Sequence, residues 1–309
     1  MNADIGYQKG AIFETGAILV LAFSKELDEK NVDHSLVAWW KDGGWVLSSQ
    51  EDLTLTSICR GRGQYSSQTL FAGIYGEILI GTPSGMRRER LAVGKNAPNR
   101  LRTIHEVRAV GEHFIAVGMR RQVFWRHMGN SSWDKIDDGV FVSDESTDIA
   151  GFISVDGFNE NEVYAVGHNG EIWIFDGNKW SQIESPTNLI LNCVRCMHDG
   201  TVLICGDGGV ILRGRRNIWT PLNQEITRRA ITSLAGLGEE VFFVTEHGSV
   251  LALNNNSITS IEIEKGRRVT TGFLNSNNKS LLSVGQEDIY LYDGMKWQRL
   301  ADPDFNMTS

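Results

Sequence analysis

Cys193-Val-Arg-Cys196 has the spacing of a metal-binding or redox pair. Two thiolates so placed hold zinc when a second pair completes a tetrahedron, but Cys59 and Cys205 stand singly. The pair also falls in an apolar stretch that reads as a strand, where residues three apart point to opposite faces. No zinc and no cofactor is expected. Gly206-Asp-Gly-Gly209 is glycine-rich like a phosphate cradle, yet a strand pattern follows it, so the free amides of a helix N-terminus are missing and the segment reads as a turn. His105, His113, His127, His198 and His247 fall at strand ends and turns without the spacing of a zinc protease.

A different chemistry, that of protein recognition, is offered by residues 137–150, DDGVFVSDESTDIA. Asp137, Asp138, Asp144, Glu145 and Asp148 surround Val140, Phe141 and Val142. Carboxylates in such a cluster speed encounter with a basic partner, and an aromatic ring among them can anchor it. A solvated insertion would have the same composition, and no Asp-x-Asp-x-Asp-Gly calcium loop is present. Three arginine pairs, Arg120-Arg121, Arg228-Arg229 and Arg267-Arg268, fall in comparable connections; they are a weaker signal, since any solvated rim contains arginine.

The elements that would position these residues follow from a repeat. VYAVGHNGEIWIFDGNKWSQI, residues 163–183, divides into apolar alternations separated by a glycine turn and a DG hairpin, and a further strand, IAGFISVDG, precedes it. The order recurs in residues 191–222 and 269–300. Trp180 and Trp219 lie 39 residues apart, and Trp219 and Trp297 lie 78 apart, which leaves room for one unit without the tryptophan. Upstream, Trp133 lies 47 before Trp180, and Trp45 lies 88 before Trp133, which requires another such unit between them. Four strands recurring every 40 to 45 residues or so indicate a β-propeller, whose blades bury their faces only against each other.

The expectation is an all-β, seven-bladed propeller forming a single domain over 1–309, with four strands per blade near 5–52, 53–95, 101–137, 150–185, 190–223, 230–264 and 269–302. Six blades with an N-terminal extension is the alternative, because the first unit contains the long charged connection SKELDEKNVDHS. In this reading Gly167, Gly206 and Gly285 end the second strand at a sharp turn, His168 to Gly170 is a structural turn, and the tryptophan of the outer strand covers the interface between blades.

NEVYAVGHNGEIWIFDGNKWSQI resembles the bacterial propeller repeat DVYAVG-x-x-G-x-I-x-x-(Y/F)DG-x-x-W, related to the YVTN, BNR and photosystem-assembly-factor propellers. The likeness is clear in the fourth, fifth and seventh units and faint in the first two. It implies the architecture and leaves function open, since such propellers bind proteins, sugars or small ligands and some are hydrolases. Sialidase-like propellers carry S-x-D-x-G-x-T-W boxes. Here only DGNKW, DGMKW and GNSSW occur, and no nucleophile is marked among Tyr7, Tyr65, Tyr75, Tyr164, Tyr290 and Tyr292.

A formal net charge of −8 argues against general affinity for nucleic acid or anionic membranes. No apolar run approaches the 18 or so residues of a membrane span, and the N-terminus lacks a secretory pattern, so a cytoplasmic protein is expected. Two classes of function follow. One is a non-enzymatic propeller whose loop face docks a protein with a basic surface, such as an immunity protein occluding a bacterial toxin domain. The other is a sugar- or nucleotide-handling hydrolase with a site assembled from propeller loops.

Overall fold

A computed structural model describes residues 5–41, 43–91, 103–143, 146–254 and 257–300. The protein is a seven-bladed β-propeller in which each blade is a four-stranded antiparallel sheet with its strands in sequence order. The sheets span 5–51, 55–90, 104–135, 152–183, 191–221, 231–261 and 271–299. Residues Lys25–Glu29 of the long connection in the first blade form a short helix, whose first turn is capped by the Ser24 hydroxyl accepting from the Leu27 N–H at 3.4 Å. That connection is therefore an insertion within a complete blade, and the six-blade alternative does not hold.

The sequence dictates the blade locally. The second strand of the fourth blade, Glu162–Gly167, is buried along its whole length, whereas its outer strand, Trp180–Ile183, is buried only at its ends. This matches an uninterrupted apolar run in the interior of the sheet and a partly polar one at its edge. The DG turns work through their aspartates: Asp176 Oδ1 accepts from the Asn178 and Lys179 N–H groups, both at 2.9 Å, and Asp293 Oδ1 does the same for Met295 and Lys296. Gly167 and Gly206 end their second strands, as the repeat predicts, with extended backbones of φ −178° and −168°. A Cβ at either position would collide with a neighbouring backbone carbonyl, that of Gly151 or Ile190.

The contacts group the chain into two compact units. Residues 56–223 hold blades two to five. Here one side chain at a repeated position in the first strand of each blade accepts a backbone N–H from the next: Ser57 Oγ from Val107 at 3.0 Å, Glu106 Oε2 from Val155 at 2.9 Å, and Ser154 Oγ from Val194 at 3.0 Å. Glu106 also receives the Ser154 hydroxyl at 2.7 Å and, on its other oxygen, Arg195 Nη2 at 2.7 Å, so the buried carboxylate and guanidinium satisfy one another. Towards the outside, the tryptophans pin adjacent blades. Trp180 Nε1 donates to the Ile136 carbonyl at 2.8 Å and Trp133 Nε1 to Glu89 at 3.0 Å.

Residues 1–55 and 224–309 form the other unit, with blades one, six and seven. The first blade packs on the last through an apolar cluster containing Ile5, Tyr7, Ile12 and Val20 from one and Phe273, Leu282, Val284 and Ile289 from the other. Hydrogen bonds also cross this joint, among them Tyr7 N–H to Gln286 O at 3.1 Å, Ile12 N–H to Asn275 Oδ1 at 3.1 Å, Asn277 Nδ2 to Phe13 O at 2.8 Å and Trp45 Nε1 to Leu300 O at 3.1 Å. Among the described residues, no strand from either blade enters the other's sheet.

Candidate partner-binding face

In an antiparallel meander, the turn between the second and third strands and the connection to the next blade emerge at the same end. In blades two to five this loop end contains residues 137–150, and a belt of hydrogen bonds knits it together. The Ile104 N–H donates to Ile74 O at 3.1 Å, Met119 to Thr103 O at 2.9 Å, Arg120 to Ala150 O at 2.8 Å, and His168 to Gly151 O at 3.2 Å.

Arg120 and Arg121 act within this belt. Arg120 Nη1 donates to the carbonyls of Ser146 and Asp148 at 3.0 and 2.9 Å, and its own carbonyl accepts from the Val142 N–H at 3.0 Å. Arg121 Nε meets Glu171 Oε2 at 2.6 Å, and its guanidinium lies 5.1 Å from the centre of the Trp173 ring. Trp173 Nε1 donates to the same carboxylate oxygen at 2.8 Å. Both arginines have left-handed backbones, with φ of 61° and 56°. The equivalent of Arg121 in neighbouring turns is Gly76, Gly170 or Gly209, each also at positive φ. An arginine at such a position costs about 1 kcal/mol that glycine avoids, a cost offset here by contacts that hold the 137–150 connection.

The carboxylates of that connection have separate fates. Asp137 is buried, 2% exposed, with Lys135 Nζ 3.1 Å from its carboxylate, and burial pushes its pKa up against the pull of that lysine. Its carbonyl accepts from the N–H groups of Val140 and Phe141, so the residue shapes the turn. Asp138 and Asp148 are exposed. Phe141 is exposed on one side, with Lys135 Nζ 4.2 Å from the centre of its ring. Asp144 and Glu145 lie outside the described residues. The structure thus gathers Arg120, Arg121, Asp137, Asp138, Phe141 and Asp148 at one end of blades two to five.

Arg228, Arg229, Arg267 and Arg268 belong to the other unit, where all four are exposed ahead of the sixth and seventh blades. Arg267 Nε lies 4.0 Å from Glu264 Oε2. Three further residues of the loop end, Tyr75, Ile149 and Leu189, are exposed and were not singled out by sequence. Alignment of the turns could have marked the first, since Tyr75 stands where Asn169 and Gly208 stand in the fourth and fifth blades.

The opposite end of the same blades is occupied by paired charges. Glu162 accepts from Arg215 Nε and Nη2 at 2.7 and 2.9 Å and from the Tyr164 hydroxyl at 2.7 Å. The Arg215 bonds hold its pKa down to about 2, against the effect of burial. Nearby, His113 stacks on Trp125 at 3.9 Å, with Nδ1 3.5 Å from Glu160. Among the described residues, no group of three or more His, Cys, Asp or Glu side chains is arranged to hold a metal ion, and no helix is long and apolar enough to cross a membrane.

No family model matches the chain. In sequence it is 31% identical over 284 residues to the immune protein Tsi7 of Pseudomonas aeruginosa, a match covering 91% of this chain and 92% of that protein. In structure it is similar to YCF48 bound to D1 peptide, with a TM-score of 0.68, 13% identity and coverage of 98% and 94% of the two chains. It is also similar to virginiamycin B lyase from Staphylococcus aureus, with a TM-score of 0.62, 12% identity and coverage of 92% and 94%. At such identities the structural likeness speaks for the fold alone.

Proposed function

The chain belongs to the family of the immune protein Tsi7, and from that premise we propose that it is a non-enzymatic, cytoplasmic immunity protein that neutralises a bacterial toxin or effector domain by docking it on its loop face. The observation that carries this reading is the extent of the match, which runs through nearly the whole of both chains at 31% identity.

The loop end of blades two to five supports it. Phe141 supplies an aromatic ring at the surface, and Asp138 and Asp148, with Asp144 and Glu145 of the same connection, supply negative charge towards a basic partner. Asp137, Arg120 and Arg121 serve by shaping the connection, and the exposed Arg228, Arg229, Arg267 and Arg268 are assigned partner contacts on the other unit. The hydrolase alternative draws less support. Tyr164 and Tyr290 are buried, which keeps both from a substrate.

Affinity purification of the tagged chain from its native host, followed by mass spectrometry, tests the proposal. One stoichiometric partner is expected, basic in charge and toxic when expressed alone, with its toxicity abolished by co-expression of this chain. Recovery of the chain alone, or a partner whose toxicity persists beside it, overturns the reading.

A further inference from the structure

Four large apolar side chains at the loop end of blades two to five are exposed: Tyr75 at 52%, Phe141 at 40%, Ile149 at 66% and Leu189 at 42%. They are distributed over the turn of the second blade and the connections into the fourth and fifth. Met86 and Ile218, exposed on the outer strands of the second and fifth blades, stand at the opposite end, and isolated apolar residues of that kind are ordinary.

The backbones that carry the four are tied to each other. The Ile74–Ile104 and Thr103–Met119 bonds connect the turn of Tyr75 to the arginine turn, and Arg120 grips the connection that bears Phe141 and Ile149. Asn169 Nδ2 donates to the Ile149 carbonyl at 2.9 Å. Gly170 lies so close to the Thr187 carbonyl, two residues before Leu189, that a Cβ there would collide with it. The backbone positions that present these side chains are therefore tied in place before any partner arrives. Charge has been sorted as well: Arg120 and Arg121 are used internally, while Asp138 and Asp148 remain exposed.

We propose that Tyr75, Phe141, Ile149 and Leu189 form a preformed docking surface for a folded protein whose contact patch is apolar in the centre and basic at its rim. The anchors lie on one turn and two inter-blade connections and not along one unpaired strand, an arrangement suited to a broad folded surface more than to an added peptide strand. Prior ordering lowers the entropic cost of binding and lets the partner dock without loop rearrangement. This inference rests on the protein-binding reading above and assigns the side chains that would carry it.

The test uses the partner that co-purifies from the native host, re-expressed and passed over the immobilised full-length chain. Tyr75→Ser, Ile149→Ser and Leu189→Ser should each raise the dissociation rate about tenfold, with Met86→Ser and Ile218→Ser within about twofold of the wild type. All five variants should keep the wild-type melting temperature, since the residues are exposed. A partner that binds the wild type but leaves the three loop-end variants at wild-type rates overturns this inference alone. So does equal weakening by the outer-strand variants. Failure of the wild-type chain to hold any protein overturns the protein-binding reading and this inference with it.

Discussion

The two ends of blades two to five are built from similar residue types put to opposite uses. At one end Glu162 closes on Arg215 and the Tyr164 hydroxyl, so that acid, base and phenol satisfy each other within the fold. At the other, Arg120 and Arg121 turn back to hold backbone and a buried carboxylate, leaving Asp138, Asp148 and four apolar side chains facing solvent. Charge at the first end stabilises the blades. At the second it fixes the shape of a surface, at the cost of two strained backbone positions.

If the contrast is right, the largest effect comes from the closed end and appears as stability alone. Glu162→Gln should cost about 2–3 kcal/mol in denaturant unfolding, less than a fully desolvated pair because Arg215 is half exposed. The dissociation rate of the partner should be unchanged. The Glu162 pKa is lowered from the ordinary 4.5 to about 2, so its contribution is complete above the first value and fades as pH falls towards the second. The wild type should therefore lose its stability advantage over Glu162→Gln on acidification through that window.

The open end should behave conversely. Phe141→Ala is expected to cost about 2 kcal/mol of binding, seen by surface plasmon resonance as faster dissociation, with little change in melting temperature. Arg120→Asn retains a residue tolerant of the left-handed backbone but removes the grip on the Ser146 and Asp148 carbonyls. It should speed amide exchange in residues 146–150 and weaken binding by about 1 kcal/mol while sparing global stability.

Replacing Asp144, Glu145 and Asp148 together with serine should slow association about three- to tenfold at low ionic strength, and the difference should vanish in high salt. The smallest change, less than about twofold, is expected from Arg267→Ser combined with Arg268→Ser, as for other rim charges. A large effect there would move the contact surface to the other unit.

Much of the architecture could be read in advance because the repeat is written in residues with local mechanisms. Asp176 and Asp293 set their turns through their own side chains, and the tryptophans recur because each covers a similar interface. Where the blades meet was less legible. The repeated acceptor appears as serine at 57 and 154 but as glutamate at 106, and a role shared by unlike residues leaves no visible pattern. The candidate surface was only half visible. Charge and length drew attention to 137–150, but which carboxylate turns inward depends on the buried setting of Asp137 beside Lys135. Arg121 looked like a surface arginine until its backbone angle placed it at a glycine position.

The joint between the first and last blades sets a timetable for synthesis. Ile5, Tyr7, Ile12 and Val20 are synthesised long before the side chains that cover them, from Phe273 to Ile289. At about 5–20 residues per second, that leaves an apolar face waiting on the order of 13–50 seconds. The first blade therefore exposes, until the last is made, the kind of unpaired apolar strand that chaperones recognise, and slower translation lengthens that exposure without altering the folded protein.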